Sequence, residues 1–265
     1  MIKRKYKYIY GPIYSWRLGM SLGIDPLATI NKSCNFDCIY CQLGDTRRLT
    51  SKRKVYVPTE EVIEEIRSLP DIHIDHLTFS GNGEPTLAKN LGEMIRALKS
   101  FRPEKIAVIT NASLLNLREV REDLLMADFV LAKLDACSQE TFELIHKTGK
   151  KEKFLDILEG IKNFRIFFKG KLALQIMLMN ENKSCALQLG NFAREIRPDE
   201  VELNTPLRPS GAKPLSANEL NQLKTYFYGL SVITVYDAPL KNVEPFDLKE
   251  TIKRHGKYKK VSARF

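Results

Sequence analysis

Three cysteines stand within eight residues, Cys34, Cys38 and Cys41 in "CNFDCIYCQL", at the spacing C-x3-C-x2-C. A structural zinc closes its shell with four protein ligands, commonly as two close pairs. The other thiols and imidazoles, Cys137, Cys185, His73, His76, His146 and His255, are single residues far off along the chain. A redox dithiol at Cys38 and Cys41 leaves Cys34 without a role. A 4Fe-4S cluster normally takes four cysteine thiolates, so three on one short loop leave the fourth iron open, and an open metal position marks a reactive site. Five cysteines, an odd number with three bunched, do not form a secreted disulfide framework, and the thiols are expected to be reduced.

These residues need elements to hold them. Short β-branched runs recur at 27–31, 76–81, 105–110, 129–135, 172–178 and 200–205. Helical patterns lie between them, around 59–68, 88–100, 116–125, 139–146, 152–164, 184–196 and 216–228, with Thr59 as an expected N-cap and "SANE" (216–219) in the form of a capping box. Repeated β-α units bury their strands on both faces and require a parallel sheet, either open or curled into a barrel or part of one. Ligands then collect at the carboxyl ends of the strands. The polar segments fall there: the cysteines after the first strand, "GNGEPT" after the second, "TNAS" after the third, "KLDA" at the fourth and "NTPLRPSG" after the sixth. "SVITVY" (231–236) is a further strand candidate. The economical division is one domain over 1–265, with a core at about 22–206 and extensions over 1–21 and 207–265.

The cysteine loop, together with "SGNGEPTL" (80–87), resembles the radical S-adenosylmethionine (radical SAM) enzymes. The resemblance implies an α/β fold, a partial (β/α)6 TIM-like barrel, with a 4Fe-4S cluster on Cys34, Cys38 and Cys41 and S-adenosylmethionine (SAM) on the open iron. It implies reductive cleavage of SAM to methionine and a 5′-deoxyadenosyl radical that takes hydrogen from a substrate. It also implies an electron donor of the ferredoxin or flavodoxin kind, and destruction of the cluster by oxygen. Tyr40 stands where the family places an aromatic residue near the adenine. Gly81, Asn82, Gly83 and Glu84 stand where it has a Gly-Gly-Glu motif, Asn82 departing from it. A carboxylate such as Glu84 complements the ammonium of a bound amino acid, and glycines let backbone approach it closely. Asn111, Lys133, Asp135, Gln175, Met177, Asn204 and Thr205 hold the corresponding places on later strands as SAM contacts.

With the cysteine loop and "GNGEPTL", "YGPIYSWRLGMSLGID" (10–25) and "LNTPLRPSGAKPLS" (203–216) are similar, in a match over roughly residues 10–220, to small radical SAM proteins near the wyosine tRNA-modifying enzymes. Those carry a second cysteine triplet, which this chain lacks, so their specific activity does not transfer. Charge bears on the partner. Residues 1–54 carry 11 Lys/Arg against 3 Asp/Glu, and residues 249–265 carry 7 against 1, which leaves a net of −4 for the middle out of a total of +10. Basic ends around a mildly acidic body suit a phosphate backbone. Tyr6, Tyr8 and Tyr10, alternating with Lys5 and Lys7, add a stacking platform or an edge strand. RNA, tRNA above all, is the expected substrate; a protein, as for glycyl-radical activating enzymes, is the runner-up, and a small molecule comes third. No apolar signal core or membrane run is legible, so a cytoplasmic, non-membrane protein is expected. Oligomeric state is not encoded legibly.

Overall fold

In the computed structural model, residues 6–149, 152–237 and 243–255 are described. They build one eight-stranded sheet whose strands lie side by side in chain order: β1 (Ile9–Ser15), β2 (Gly19–Ile24), β3 (His76–Phe79), β4 (Lys105–Thr110), β5 (Phe129–Lys133), β6 (Lys171–Met177), β7 (Glu200–Asn204) and β8 (Val232–Thr234). β1 is antiparallel to β2, and every later pair is parallel. The helices are α1 (Thr59–Arg67), α2 (Leu91–Lys99), α3 (Arg118–Leu124), α4 (Gln139–His146), α5 (Phe154–Phe167), α6 (Ala186–Ile196), α7 (Ala217–Lys224) and α8 (Leu248–His255). The parallel strands curl into a partial barrel.

The strand period of two explains the curl's two surfaces. Leu22, Leu77, Val108, Val130, Leu174 and Leu203 face the helices and join the main core. Leu18, Ala107, Phe129, Leu131 and Ala173 form a second, smaller apolar layer, on the opposite parity. On that same parity stand Thr78, Lys133, Gln175 and Glu202, so the inner surface is apolar in one layer and polar in another.

Six of the seven strand expectations fall on observed strands, and the first does not. The strand that opens the barrel is β2, while 27–31 is irregular and bent, with Pro26 ahead of it and Ala28 at φ 41°. β2 reads poorly as a strand because Gly19 and Gly23 interrupt it, yet Gly23 is the place where the Tyr10 ring lies against the sheet: an added Cβ would meet that ring at 2.1 Å. Thr59 is the first residue of α1 rather than its cap; Pro58 precedes it, and Thr59 Oγ1 accepts from Asn90 Nδ2 at 3.1 Å. The capping box at Ser216 and Glu219 is present in both directions. α2 begins three residues later than its pattern, because Pro85–Leu87 forms a separate 3₁₀ turn.

The three tyrosines are not a stacking platform. Tyr6, Tyr8 and Tyr10 are all buried; Tyr6 packs on Phe246 and the Tyr8 hydroxyl bonds Glu61. Their aromatic area was legible in the sequence, but α1 and the chain before α8 cover it. The expectation of reduced thiols fails at Cys137 and Cys185, which are joined in a disulfide. Cys137 follows β5 and Cys185 precedes α6, after the neighbouring β6; their Cα atoms lie 5.5 Å apart, within disulfide reach. Cys34, Cys38 and Cys41 are free.

Candidate active site at the carboxyl ends of the strands

Two loops meet backbone to backbone at the rim. Ser33 donates its N–H to the Asn82 carbonyl at 3.0 Å, and Glu84 donates to the Ser33 carbonyl at 3.0 Å, so the residue just before Cys34 is paired with the glycine turn. Gly83 lies between those bonds at φ 146°, and a Cβ there would stand 1.7 Å from the Ser33 carbonyl oxygen. Only glycine allows this approach. Gly81, at φ 134°, is pressed on Asp25 in the same way, at 2.6 Å. Asn82 does not line an open site: its side chain is buried and donates to the Thr29 carbonyl at 2.7 Å, tying the turn to the chain that leads into the cysteines.

Glu84 is engaged by this protein's own donors. Oε1 accepts from Thr86 N–H (3.0 Å), Thr86 Oγ1 (2.6 Å) and Thr110 Oγ1 (2.6 Å), and Oε2 from Asn111 N–H (2.7 Å). Burial raises its pKa, against the pull of those bonds. Lone-pair capacity remains on Oε2, so the carboxylate fastens the β3 and β4 loops together and can still receive one further donor.

Asn111 joins the cysteine loop from the other side. Its Oδ1 accepts from Ser113 N–H (3.0 Å) and Oγ (2.6 Å), and its Nδ2 faces Asn35 Oδ1 (2.9 Å) and Cys34 Sγ (3.7 Å). Cys38 Sγ lies 3.1 Å from His146 Nδ1, and Cys41 Sγ accepts from Lys32 Nζ at 3.2 Å. Burial pushes the Cys34 thiol up to about 12, with Glu84 adding to it, and pushes Cys38 well above the ordinary thiol range. Cys34 and Cys38 therefore lack the lowered pKa of a reactive nucleophile. Burial works against the charge of Lys32, but the three cysteines together, Cys41 foremost, hold the ammonium above the usual lysine range. Among the described residues no three His, Cys, Asp or Glu side chains converge on one ion. Three free thiols on one loop are the donor set of a cluster with one iron left open, and fall one short of the four ligands of a structural zinc.

Behind the loop runs a polar chain. The Tyr40 hydroxyl donates to Asp135 Oδ2, and Asp135 Oδ1 accepts from Met177 N–H at 2.6 Å. Lys133 Nζ is 3.4 Å from Asp135 Oδ2, 3.3 Å from Gln175 Oε1 and 4.8 Å from the centre of the Tyr40 ring. Burial, then Asp135, pushes the Tyr40 hydroxyl well above its ordinary pKa. Tyr40 and Met177 pack together against Ile145, Met179 and Ala212. Gln175 is drawn away from the rim: its Nε2 reaches Glu202 Oε2 at 3.4 Å inside the curl. Asn204 Oδ1 accepts from Thr205 N–H and Thr205 Oγ1 from Leu215 N–H, both at 2.8 Å, so these two shape the loop after β7.

The sequence reading gave no role to Lys32, Arg254 or Glu202 and met His146 only as a single imidazole far off along the chain. Lys32 stands two residues before Cys34 and was within reach of a motif argument; His146 lies 108 residues beyond Cys38 and carries no local signal. A hollow of about 320 Å³ opens beside Cys38 and Cys41, bounded also by Lys147 and the turn at Pro209. A larger one, about 550 Å³, lies at the opposite, amino-terminal ends of the strands, among Arg17, His76 and Lys105, and touches no cysteine.

Residues 29–193 match the family model described as the radical SAM superfamily. The chain belongs to the radical SAM superfamily. This radical SAM chain is 39% identical over 208 residues to a UPF0026 protein of Synechocystis sp., a match spanning 78% of this chain and 77% of the relative. Among solved structures, Streptococcus suis SuiB bound to precursor peptide SuiA superposes with TM-score 0.63 at 15% identity, over 80% of this chain and 48% of that one. Archaeal TYW1 gives TM-score 0.57 at 18% identity, over 83% and 74%. At those identities the two structures share the fold. Membership makes the protein an iron-sulfur enzyme, with a 4Fe-4S cluster and SAM as its cofactors. No helix among the described residues is long and apolar enough to cross a membrane.

Proposed function

We propose that this enzyme acts on RNA, with tRNA as the substrate class, and that Cys34, Cys38 and Cys41 hold its cluster. When bound, the cluster and SAM supply a 5′-deoxyadenosyl radical. The chain's own residues position and shield. Gly83 lets the turn close on the cysteine loop, Glu84 offers its remaining Oε2 lone pair to the methionine ammonium, and Tyr40 with Met177 forms an apolar wall for the adenine. Lys133 and Asp135 offer opposite charges beside that wall, and Asn111 holds the loop at Cys34. A ferredoxin- or flavodoxin-like donor delivers the electron.

The observation that carries the RNA reading is where the charge lies. The stretch immediately after the cysteines exposes Arg47, Arg48, Lys52 and Lys54. The first and last described segments meet at the same rim: Arg254 of α8 donates to Asp25 Oδ2 at 3.0 Å and to the Lys7 carbonyl at 2.7 Å, and Gly81 packs on that same Asp25. Most of the basic residues of the extreme ends lie outside the described residues, but Lys7 and Arg254 fix where both segments begin.

Reconstituted enzyme with dithionite and SAM is expected to release 5′-deoxyadenosine, and Cys38→Ala to abolish it; a variant that still produced it would remove the cluster from Cys38. Filter binding of bulk tRNA across a salt series decides the partner. Affinity that falls steeply with salt supports RNA; weak, salt-insensitive binding returns the choice to a protein or small-molecule substrate.

A further inference from the structure

Each of the three cysteine sulfurs faces one side-chain N–H donor, and the three donors come from different parts of the fold. Cys34 has Asn111 Nδ2 at 3.7 Å, Cys38 has His146 Nδ1 at 3.1 Å, and Cys41 has Lys32 Nζ at 3.2 Å. Each is held in place by contacts that do not depend on the sulfur. The Asn111 amide is oriented by Ser113, which occupies its oxygen twice. The His146 ring stacks on Phe36, centroids 4.8 Å apart, and packs on Phe142. The end of α4 is pinned to the cysteine loop by Asp37 N–H to the His146 carbonyl (2.8 Å) and Ile39 N–H to the Ile145 carbonyl (2.9 Å). His146 Nε2 is 3.9 Å from Asp135 Oδ2, too far for a hydrogen bond, so the bond its geometry allows is Nδ1–H to Cys38. Lys32, with its side chain 5% exposed, also donates to the Gly44 carbonyl at 2.7 Å and lies 3.6 Å from Asp37 Oδ1.

We propose that Lys32, His146 and Asn111 are positioning residues that form a donor collar around the cluster and raise its reduction potential, Lys32 most of all. The inference rests on the cluster being carried by these cysteines. Reduction adds one electron, and the added negative charge spreads onto the thiolates. An N–H aimed at a sulfur stabilises that more negative state more than the oxidised one, and a buried ammonium does so most. Asp37, beside Lys32, opposes it. The collar therefore brings the cluster closer to the reach of a cellular electron donor.

The test is an EPR-monitored redox titration of the reconstituted holoenzyme without substrate. Lys32→Met is expected to lower the midpoint by at least a factor of ten in the reduction constant, ~59 mV for a one-electron couple. His146→Leu lowers it less, and Asn111→Leu least, following the longest contact. Asp37→Asn shifts it upward, while Lys32→Arg and His146→Gln, which keep an N–H, return it toward wild type. A midpoint unmoved in Lys32→Met and His146→Leu, or displaced equally by the conservative pair, overturns the collar. If either truncation fails to retain iron, wild type with 15N-labelled histidine decides. Pulsed EPR of the reduced cluster is expected to show a 15N coupling, and its absence overturns the His146 contact that anchors the proposal. Wild type that binds no four-iron cluster would instead fail the cysteine assignment, a separate outcome read from iron content and absorbance.

Discussion

Glu202 has its carboxylate wholly inside the curl of the sheet, on β7, 3.6 Å from Arg17 Nε. That separation gives Coulomb attraction but no hydrogen bond, and Arg17 Nε and Glu202 Oε1 both lack a hydrogen-bond partner among the described residues. Burial raises the Glu202 pKa from 4.5 to about 7, against the opposing pull of Arg17. The folded state therefore keeps a proton that the unfolded chain releases. Stability is fully present below the unfolded value near 4.5 and is lost as pH rises to about 7, by on the order of 3 kcal/mol in total. Thermal unfolding is expected to show wild type losing Tm between pH 5 and pH 8 relative to Glu202→Gln, which has no proton to lose. Parallel pH profiles for the two proteins would refute the raised carboxyl. No motif marks this glutamate. Its position is legible as an alternate residue of "EVELN", but its enclosure depends on Arg17 arriving from the turn between β1 and β2.

At the scale of elements, the parallel strands and their helices were legible because each carries its own period, and β4 and α4 fall on their patterns residue for residue. The places that misread are those where a long-range contact overrides a local signal. β2 has glycine at position 23 because the Tyr10 ring needs the room and at position 19 because Asp75 lies against it, and the tyrosine alternation belongs to buried packing. α8 could not be placed from sequence at all. Its Arg254 reaches Asp25 across the top of β2, both side chains almost fully buried, while Gly11 N–H donates to Thr251 Oγ1 at 3.0 Å and Phe246 N–H to the Gly11 carbonyl at 2.8 Å. Arg254→Leu leaves the Asp25 charge buried without its cation, which costs about 3–5 kcal/mol. In urea unfolding we expect that loss, with earlier tryptic cleavage ahead of α8, and partial recovery in Arg254→Leu/Asp25→Asn. A single variant within about 0.5 kcal/mol of wild type would show that α8 is not strapped to the barrel.

At the scale of the whole molecule, Arg47, Arg48, Lys52 and Lys54 lie exposed on the stretch that follows the three cysteines. If the exposed run after the cysteines tracks a phosphate backbone, replacing Arg47, Arg48, Lys52 and Lys54 together by glutamine makes tRNA binding weaker and its dependence on salt shallower. The slope of log affinity against log salt changes by ~0.7–0.9 for each phosphate contact removed. An unchanged slope would place any RNA contact elsewhere. The sequence by itself determined the local features of the candidate site: the C-x3-C-x2-C spacing, the "GNGE" turn and the β-α alternation are local, because a loop's residue spacing and an element's period are set by neighbours along the chain. Only the tertiary structure decided what surrounds those features. His146 beside Cys38, Cys137 joined to Cys185, Asn82 turned to Thr29 and Arg254 on Asp25 join residues far apart in sequence, and burial then fixes the partners of each polar group.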